Sequence, residues 1–278
     1  MNPPKVLLLD GDGVIWIDGT PIKGAIDSLN RIRKLGIRLV LVTNNSSKTR
    51  SKYLSFMENI GLEGFTVDDI FSSGFATAKY LNSHNITKVF VSGFPGLMEE
   101  LGLHGVEVHN VETDSDIIPV DAVVVSKSDT CTFEEIARGM NIIKRYNCPL
   151  IGTNPDPNFP MPHNVLIPGS GSMVRTFEAA SHKRAIVIGK PEDAMFETVL
   201  NTLCVSKDDV MMVGDRIVTD VAFAARHGAR SVLVLTGVDT VEDAERAEER
   251  DKPTYVMKSL VEVADLLEEM AKNKKCEL

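Results

Sequence analysis

Short runs of apolar, mostly β-branched residues alternate along the chain with segments whose apolar positions follow helical spacing. Each run is continuous, which is typical of strands that are covered on both faces of a sheet. The intervening segments, such as AIDSLNRIRKLG and DVAFAARHGAR, are typical of crossover helices. The pattern predicts an α/β fold with a doubly wound parallel sheet. The predicted strands are KVLLLD, IRLVLVTNN, KVFVSG, DAVVVS, CPLIGTN, RAIVIGK, DVMMVGD and SVLVLTG.

Four of these predicted strands end at a polar residue with useful chemistry. The residues are Asp10, Thr43, Lys190 and Asp215. The carboxyl ends of parallel strands lie along one edge of a sheet, and ligands bind at that edge near the point where strand order reverses. We therefore expect these four side chains to meet along one edge.

The stretch VLLLDGDGVIW places two aspartates, Asp10 and Asp12, directly after a buried strand. Residues i and i+2 of an extended chain share a face, so the two carboxylates repel each other unless a cation or a proton intervenes. Asp215 adds a third carboxylate at the same edge. An all-oxygen set of this kind suits Mg²⁺ better than zinc.

The same residues fit phosphoryl transfer. Thr43, the backbone N–H groups that follow it and Lys190 can hold the oxygens of a phosphoryl group. Asp10 can attack phosphorus and form an aspartyl phosphate. Asp12 can protonate the leaving oxygen and later activate the water that hydrolyses the intermediate. Taken alone, each residue has a structural alternative: a loop aspartate, a turn-capping threonine or a surface lysine.

Composition narrows the class of protein. The chain has 278 residues, 43% of them hydrophobic and 25% charged, as is usual for a soluble globular protein. Its net charge of −9 argues against a nucleic-acid surface and against an anionic membrane surface. The four cysteines follow no metal-binding or disulfide spacing, and no apolar run is long enough for a signal peptide or a membrane span. We expect a cytoplasmic protein.

The motifs DGDGVIW, TNNSS, IGKP and VGDRIVTD occur in this order. Together they resemble the four signature motifs of the haloacid dehalogenase (HAD) superfamily of phosphohydrolases. The segments DGTPIKGA, TNNSSKTR, TNPDPNFP and LTGV are similar to its p-nitrophenylphosphatase, phosphoglycolate phosphatase and NagD-like branch. The resemblance extends over nearly the whole chain. It implies a HAD-like, Rossmannoid core with an inserted α/β cap.

The resemblance implies a role for each motif residue. Asp10 becomes the nucleophile and Asp12 the general acid and base, while Thr43 and Lys190 become phosphate ligands. Asn44, beside Thr43, is a further candidate phosphate ligand. The implied Mg²⁺ ligands are Asp10, the backbone carbonyl of Asp12, Asp215 and, with an alternative use as a helix cap, Asp220. Asn45 is expected at the substrate or the cap loop. One departure is Gly11, where relatives usually carry a larger residue, and we expect local flexibility there.

The resemblance also implies two domains. The stretch between Thr43 and Lys190 is far longer than one crossover requires, which likewise indicates an inserted folding unit. We predict a discontinuous catalytic core at 1–81 and 185–278 and a cap at 82–184. In the cap, Asn154 and Asp156 are candidate substrate contacts, with Asx turns as the structural alternative. PGSGS is predicted to begin a cap helix. His163 and His182 have no assigned role.

The predicted activity is Mg²⁺-dependent hydrolysis of a small phosphorylated metabolite, with p-nitrophenyl phosphate as an artificial substrate. Two alternatives stay open. One is a phosphotransferase or mutase with the same chemistry, and the other is a non-catalytic module that binds Mg²⁺ and phosphate. The sequence does not distinguish phosphoglycolate, pyridoxal phosphate, a nucleotide or a sugar phosphate as substrate. Similar proteins form homodimers through the cap, which is one arrangement open to this chain.

Overall fold

The computed structural model describes residues 2–113, 116–161 and 165–276. The chain forms two compact units. The first comprises Met1–Thr43, Leu54–Phe71 and Val199–Leu278, and the second comprises Asn44–Tyr53 and Ser72–Thr198. Each unit is therefore assembled from segments that are distant in sequence.

The first unit is built on a six-stranded sheet with the strand order β15-β14-β13-β1-β4-β5. The pairs from β15 to β4 are all parallel. Every residue of β1 is apolar and buried. This is expected for a central strand that is covered on both faces. The strands are β1 (Val6–Leu9), β4 (Arg38–Thr43), β5 (Ile70–Ser72), β13 (Val210–Gly214), β14 (Arg230–Val234) and β15 (Tyr255–Met257), with a separate hairpin of β2 (Trp16–Ile17) and β3 (Thr20–Pro21).

The second unit is built on a five-stranded parallel sheet with the order β12-β9-β8-β6-β7. An antiparallel hairpin accompanies it. The sheet strands are β6 (Lys88–Ser92), β7 (Glu107–His109), β8 (Ala122–Val125), β9 (Leu150–Gly152) and β12 (Ala185–Val187), and the hairpin strands are β10 (Asn158–Met161) and β11 (Val165–Pro168).

Helices follow most of the strands. In chain order they are α1 (Ala25–Lys34), α2 (Arg50–Asn59), α3 (Ser73–Ser83), α4 (Pro95–Leu103), α5 (Phe133–Tyr146), α6 (Ser170–Ser181), α7 (Asp193–Leu203), α8 (Ala222–Ala225), α9 (Val241–Arg246) and α10 (Leu260–Cys276). The PGSGS segment does begin a helix, α6, as predicted. Within the described ranges, none of the helices is both long and apolar enough to cross a membrane.

The α/β prediction is confirmed, with one correction to the placement of the strands. The sequence pattern predicts the strand before Lys190 in the sheet that carries Asp10. In the structure this strand is β12, whose Ala185 lies opposite Leu150 of β9 in the second sheet. An apolar parallel strand has the same sequence pattern in either sheet, so periodicity could not assign it. The boundaries predicted for the cap, 82–184, stay a prediction.

Phe177 on α6 provides a test of the core of the second unit. Its side chain is completely buried with Phe90, Ile142 and Val174. Replacing Phe177 by Ala is expected to lower the free energy of unfolding by about 3–5 kcal/mol, because a buried phenyl group is lost and a cavity remains. Urea denaturation followed by circular dichroism measures the change.

The matched control is Phe133→Ala on the neighbouring helix α5, since the side chain of Phe133 is 86% exposed. This control should change the free energy of unfolding by less than about 0.5 kcal/mol. Equal losses in the two variants would contradict the described packing.

Candidate active site

The register of the first sheet brings three of the predicted residues to one edge. Leu9 of β1 lies opposite Leu41 of β4 and Val213 of β13. Asp10, Thr43 and Asp215 each stand one or two residues beyond these positions. The backbone N–H of Asp10 also donates to the carbonyl of Val213 at 2.9 Å. The three residues therefore leave the sheet at the same edge.

Three carboxylates meet at this edge. Oxygen atoms of Asp10, Asp215 and Asp220 all lie within 4.8 Å of one another. Asp215 and Asp220 are only 3% and 1% exposed, and Asp10 is half-buried. Buried like charges at such distances require a counter-charge. The donor set is entirely oxygen and fits a hard divalent cation such as Mg²⁺.

Asp220 reaches this cluster through an irregular turn. The chain from Ile217 to Val221 forms a π-helical turn, in which the N–H of Val221 donates to the carbonyl of Arg216 at 3.1 Å. The carboxylate of Asp220 accepts a hydrogen bond from the N–H of Arg216 at 3.1 Å. Single π-helical turns are often found at functional sites. Asp220 therefore combines the predicted capping use with a place beside Asp10 and Asp215.

The loop after β14 holds Asp215 in place. The N–H of Val238 donates to Asp215 Oδ2 at 2.9 Å, and the N–H of Asp239 donates to the carbonyl of Asp215 at 3.0 Å. A Cβ atom at Gly237 would lie 2.0 Å from Asp215 Oδ2, so only glycine allows this close approach. Asp239 in turn accepts a hydrogen bond from the N–H of Ile217 at 2.6 Å.

Asp239 is a supporting residue that the sequence analysis missed. It sits two residues beyond the strand end SVLVLTG, directly after the LTGV segment. Its carboxylate accepts a hydrogen bond from the first backbone N–H of the turn that carries Asp220. Its position after a predicted strand was the only available signal, and many loop aspartates share that signal.

Asp12 is not one of the three carboxylates grouped at this edge. Its side chain is exposed, and Oδ1 accepts a hydrogen bond from the indole Nε1 of Trp16 at 3.0 Å. The predicted metal contact of Asp12 involves its backbone carbonyl, which leaves the carboxylate available for proton transfer.

The remaining predicted residues lie in the second unit, where four of them come together. The side-chain amide of Asn44 donates to the carbonyl of Lys190 at 2.9 Å and to Asp156 Oδ2 at 3.1 Å. The amide of Asn154 donates to the carbonyl of Asn44 at 2.7 Å and to Ser170 Oγ at 3.0 Å. Asn44, Asn154 and Lys190 are all buried.

Asn154 also accepts a hydrogen bond from the N–H of Asp156 at 3.2 Å, which is the Asx-type contact of the structural alternative. Asn45 accepts from the N–H of Ser47 at 3.0 Å, and its carbonyl accepts from the hydroxyl of Tyr53 at 3.1 Å. Among the described residues, Asn44 Oδ1 is a buried acceptor without a hydrogen-bond partner.

Of the two histidines without an assigned role, the structure describes His182. His182 follows α6 in the left-handed conformation, with φ at 56°. His163 lies outside the described residues.

Comparison with known proteins supplies the remaining finding. Residues 7–107 match the family model of haloacid dehalogenase-like hydrolases, and residues 187–263 match a HAD-hydrolase-like model. Human glycerol-3-phosphate phosphatase is 33% identical and is matched over 88% of this chain and 83% of its own length. Phosphoglycolate phosphatase 2 of Arabidopsis thaliana is also 33% identical, and the match covers 94% of this chain and 92% of its own length.

The fold agrees with a solved structure from the same group. The p-nitrophenyl phosphatase of Archaeoglobus fulgidus aligns with a TM-score of 0.84 at 33% identity. The alignment covers 96% of this chain and 99% of that protein. The likeness therefore includes both sheets and extends along almost the whole chain.

Proposed function

The chain belongs to the haloacid dehalogenase-like hydrolases, in the NagD, p-nitrophenylphosphatase and phosphoglycolate phosphatase branch, and from this premise we propose a specific reaction. It is the Mg²⁺-dependent hydrolysis of a small phosphorylated metabolite through an aspartyl phosphate on Asp10. The observation that carries the proposal is the cluster of Asp10, Asp215 and Asp220 at the edge of the first sheet.

In the first step, a carboxylate oxygen of Asp10 attacks phosphorus. The new bond between Asp10 and phosphorus forms as the bond to the substrate's ester oxygen breaks. Asp12 donates a proton to that leaving oxygen, so the alcohol departs neutral. The hydroxyl of Thr43, at the same sheet edge, is the proposed ligand of a phosphoryl oxygen.

In the second step, Asp12 acts as a base. It takes a proton from water as the water oxygen attacks phosphorus, and the bond between phosphorus and Asp10 breaks. Inorganic phosphate leaves, and both aspartates return to their starting states. Asp12 therefore donates a proton in one step and recovers one in the other.

Asp10, Asp215 and Asp220, with the backbone carbonyl of Asp12, would hold Mg²⁺. When bound, the ion supplies positive charge that neutralises these carboxylates and the phosphoryl oxygens. Lys190 and Asn44, in the second unit, are proposed as further phosphate ligands on the strength of the family motifs. We propose that an α/β cap is inserted into a discontinuous core, with the predicted bounds 82–184 for the cap and 1–81 and 185–278 for the core. The pairing of β12 in the second sheet favours a cap that extends past residue 184.

A panel of phosphate esters tests the proposal. The names of the relatives suggest glycerol 3-phosphate, phosphoglycolate and p-nitrophenyl phosphate, and pyridoxal phosphate, a nucleotide and a sugar phosphate complete the panel. Release of phosphate in the presence of Mg²⁺ is expected for p-nitrophenyl phosphate, and kcat/KM ranks the others. No turnover of any ester would contradict the proposal, and transfer to an added alcohol in preference to water would identify a phosphotransferase.

Replacing Asp12 by Asn is expected to separate the two steps. Because p-nitrophenolate leaves with little help from an acid, phosphorylation of Asp10 should slow less than hydrolysis, which needs a base. The rate of hydrolysis of the aspartyl phosphate should fall about 10²–10⁴-fold, which is the usual contribution of general acid–base catalysis. Rapid mixing with p-nitrophenyl phosphate should then give a burst of nitrophenolate that approaches one per active site, followed by slow turnover. Absence of the burst would assign Asp12 mainly to the first step or to metal geometry.

Asn154 and Asp156 are proposed to contact the part of the substrate that does not react. Replacing either residue by Ala should change the relative kcat/KM among metabolites by about 10-fold, because a hydrogen bond to substrate is lost. The rate with p-nitrophenyl phosphate should change less. The matched control is Asn141→Ala on α5, where the side chain is exposed. Equal losses on every substrate would identify a structural turn.

A further inference from the structure

The segment after Asp10 folds back on itself and brings Trp16 beside Asp12. The carbonyl of Gly11 accepts hydrogen bonds from the N–H groups of Ile15 at 2.9 Å and Trp16 at 3.1 Å. The N–H of Gly13 donates to the carbonyl of Trp16 at 2.8 Å. These backbone bonds close a tight loop, so the position of the Trp16 side chain is set by the same short segment that carries Asp10 and Asp12.

The Trp16 ring is held from several sides. Only 3% of the residue is exposed, and its ring meets Phe56 edge to face with centroids 5.1 Å apart. On another side the ring lies against the backbone, because a Cβ atom at Gly11 would be 2.2 Å from Cζ2 of Trp16. Gly11 therefore provides the space that the indole occupies, which is a more specific reason for glycine than the local flexibility expected from the sequence.

The indole can make one hydrogen bond, and it makes that bond to Asp12. Nε1 donates to Asp12 Oδ1 at 3.0 Å. The indole N–H is only a donor, so the oxygen it contacts must be an acceptor. Asp12 is exposed, and an exposed carboxylate has rotational freedom that a buried, immobile donor removes.

We propose that Trp16 is a positioning residue for Asp12, and that Gly11 is required because it makes room for the indole. Trp16 holds Oδ1 of Asp12 through its hydrogen bond. The proton that Asp12 donates in one step and recovers in the other is therefore carried by Oδ2. A general acid must lie within hydrogen-bond reach of the group it serves, and small errors of placement reduce the rate strongly. This inference rests on the role of Asp12 in the proposed function.

The chain has a single tryptophan, so a tryptophan analogue supplied during expression replaces only Trp16. The analogue 3-benzothienylalanine keeps the shape of the ring system and replaces the N–H by sulfur. We compare p-nitrophenyl phosphate with phenyl phosphate, which is similar in shape but has a poorer leaving group. In the analogue protein, kcat/KM for phenyl phosphate should fall about 10-fold, as expected for one lost hydrogen bond to a charged group. The value for p-nitrophenyl phosphate should fall less than about 2-fold, because its leaving group needs little help from an acid.

Gly11→Ala gives a second and independent test that keeps the indole N–H. The added methyl group should displace the ring, produce the same selective loss with phenyl phosphate and shift the fluorescence of Trp16 to longer wavelength as the indole becomes exposed. In a Trp16→Phe background the smaller ring leaves space for the methyl group. Gly11→Ala should therefore reduce kcat/KM for phenyl phosphate less in that background than in the wild type. A double-mutant cycle measures this coupling.

Inhibition by inorganic phosphate distinguishes positioning from general damage. The inhibition constant should stay within about 2-fold of the wild type in the analogue protein, since only the hydrogen bond to Asp12 is lost. Equal losses on the two esters, weaker inhibition by phosphate or unchanged kinetics in the analogue protein would each overturn the role of Trp16. Inactivity of the wild type on both esters would instead overturn the proposed function, and this inference with it.

Discussion

Replacing Asp10 by Asn is expected to reduce turnover of p-nitrophenyl phosphate to less than about 10⁻⁴ of the wild-type rate. Losses of this size follow removal of the catalytic nucleophile in other enzymes. The amide of asparagine has the size of the carboxylate but neither its charge nor its nucleophilic oxygen. The variant should therefore form no covalent phosphoryl adduct, and steady-state assays together with acid-quenched samples measure both effects.

The matched control is Asp18→Asn. Asp18 is exposed, belongs to the same segment and has a φ of 48°, a conformation that asparagine adopts readily. This control should retain wild-type turnover. Substantial turnover by Asp10→Asn, with the control unchanged, would show that water attacks the substrate directly and that Asp10 has only a supporting role.

Removal of divalent cations is also expected to have a very large effect on turnover. EDTA should abolish turnover, and added Mg²⁺ should restore it, because Asp10, Asp215 and Asp220 crowd three carboxylates into one oxygen site. Calcium should inhibit, since its looser coordination allows Asp10 to bind through both oxygens and lose its line of attack. Full activity in the chelator would contradict the metal site.

Thermal unfolding gives a readout of the same site without turnover. Mg²⁺ at about 100 times its dissociation constant should stabilise the wild type by about 2.7 kcal/mol. Asp215→Asn should lose this stabilisation, whereas Asp208→Asn, at an exposed position, should keep it. An equal response in the two variants would place Mg²⁺ binding elsewhere.

The sequence predicted those features that depend on local pattern. Continuous apolar runs identified the buried strands. The polar residues at the ends of β1, β4 and β13 identified the edge where Asp10, Thr43 and Asp215 lie. This worked because strand burial and the alignment of carboxyl ends follow directly from the parallel-sheet geometry. The order of the motifs then identified the family.

Features that depend on distant packing could not be predicted in this way. β12 has the apolar pattern of any covered strand, so its pairing with β9 depends on interactions that the pattern does not encode. The π-helical turn of Asp220 and the supporting carboxylate of Asp239 depend on how one loop meets another. The requirement for glycine at position 11 depends on the indole of Trp16, which packs against it.

Locating the phosphoryl group on the protein tests the central claim most directly. The Asp12→Asn variant is mixed with p-nitrophenyl phosphate and Mg²⁺, quenched in acid and reduced with borohydride, which converts a phosphorylated aspartate into homoserine. Trypsin then releases the peptide from Val6 to Lys23, which contains Asp10 and Asp18, and tandem mass spectrometry reads the modified position. We expect homoserine at position 10 alone, with none in a sample lacking substrate. Unmodified Asp10 throughout the nitrophenolate burst, or homoserine at another position, would contradict catalysis through an aspartyl phosphate at Asp10.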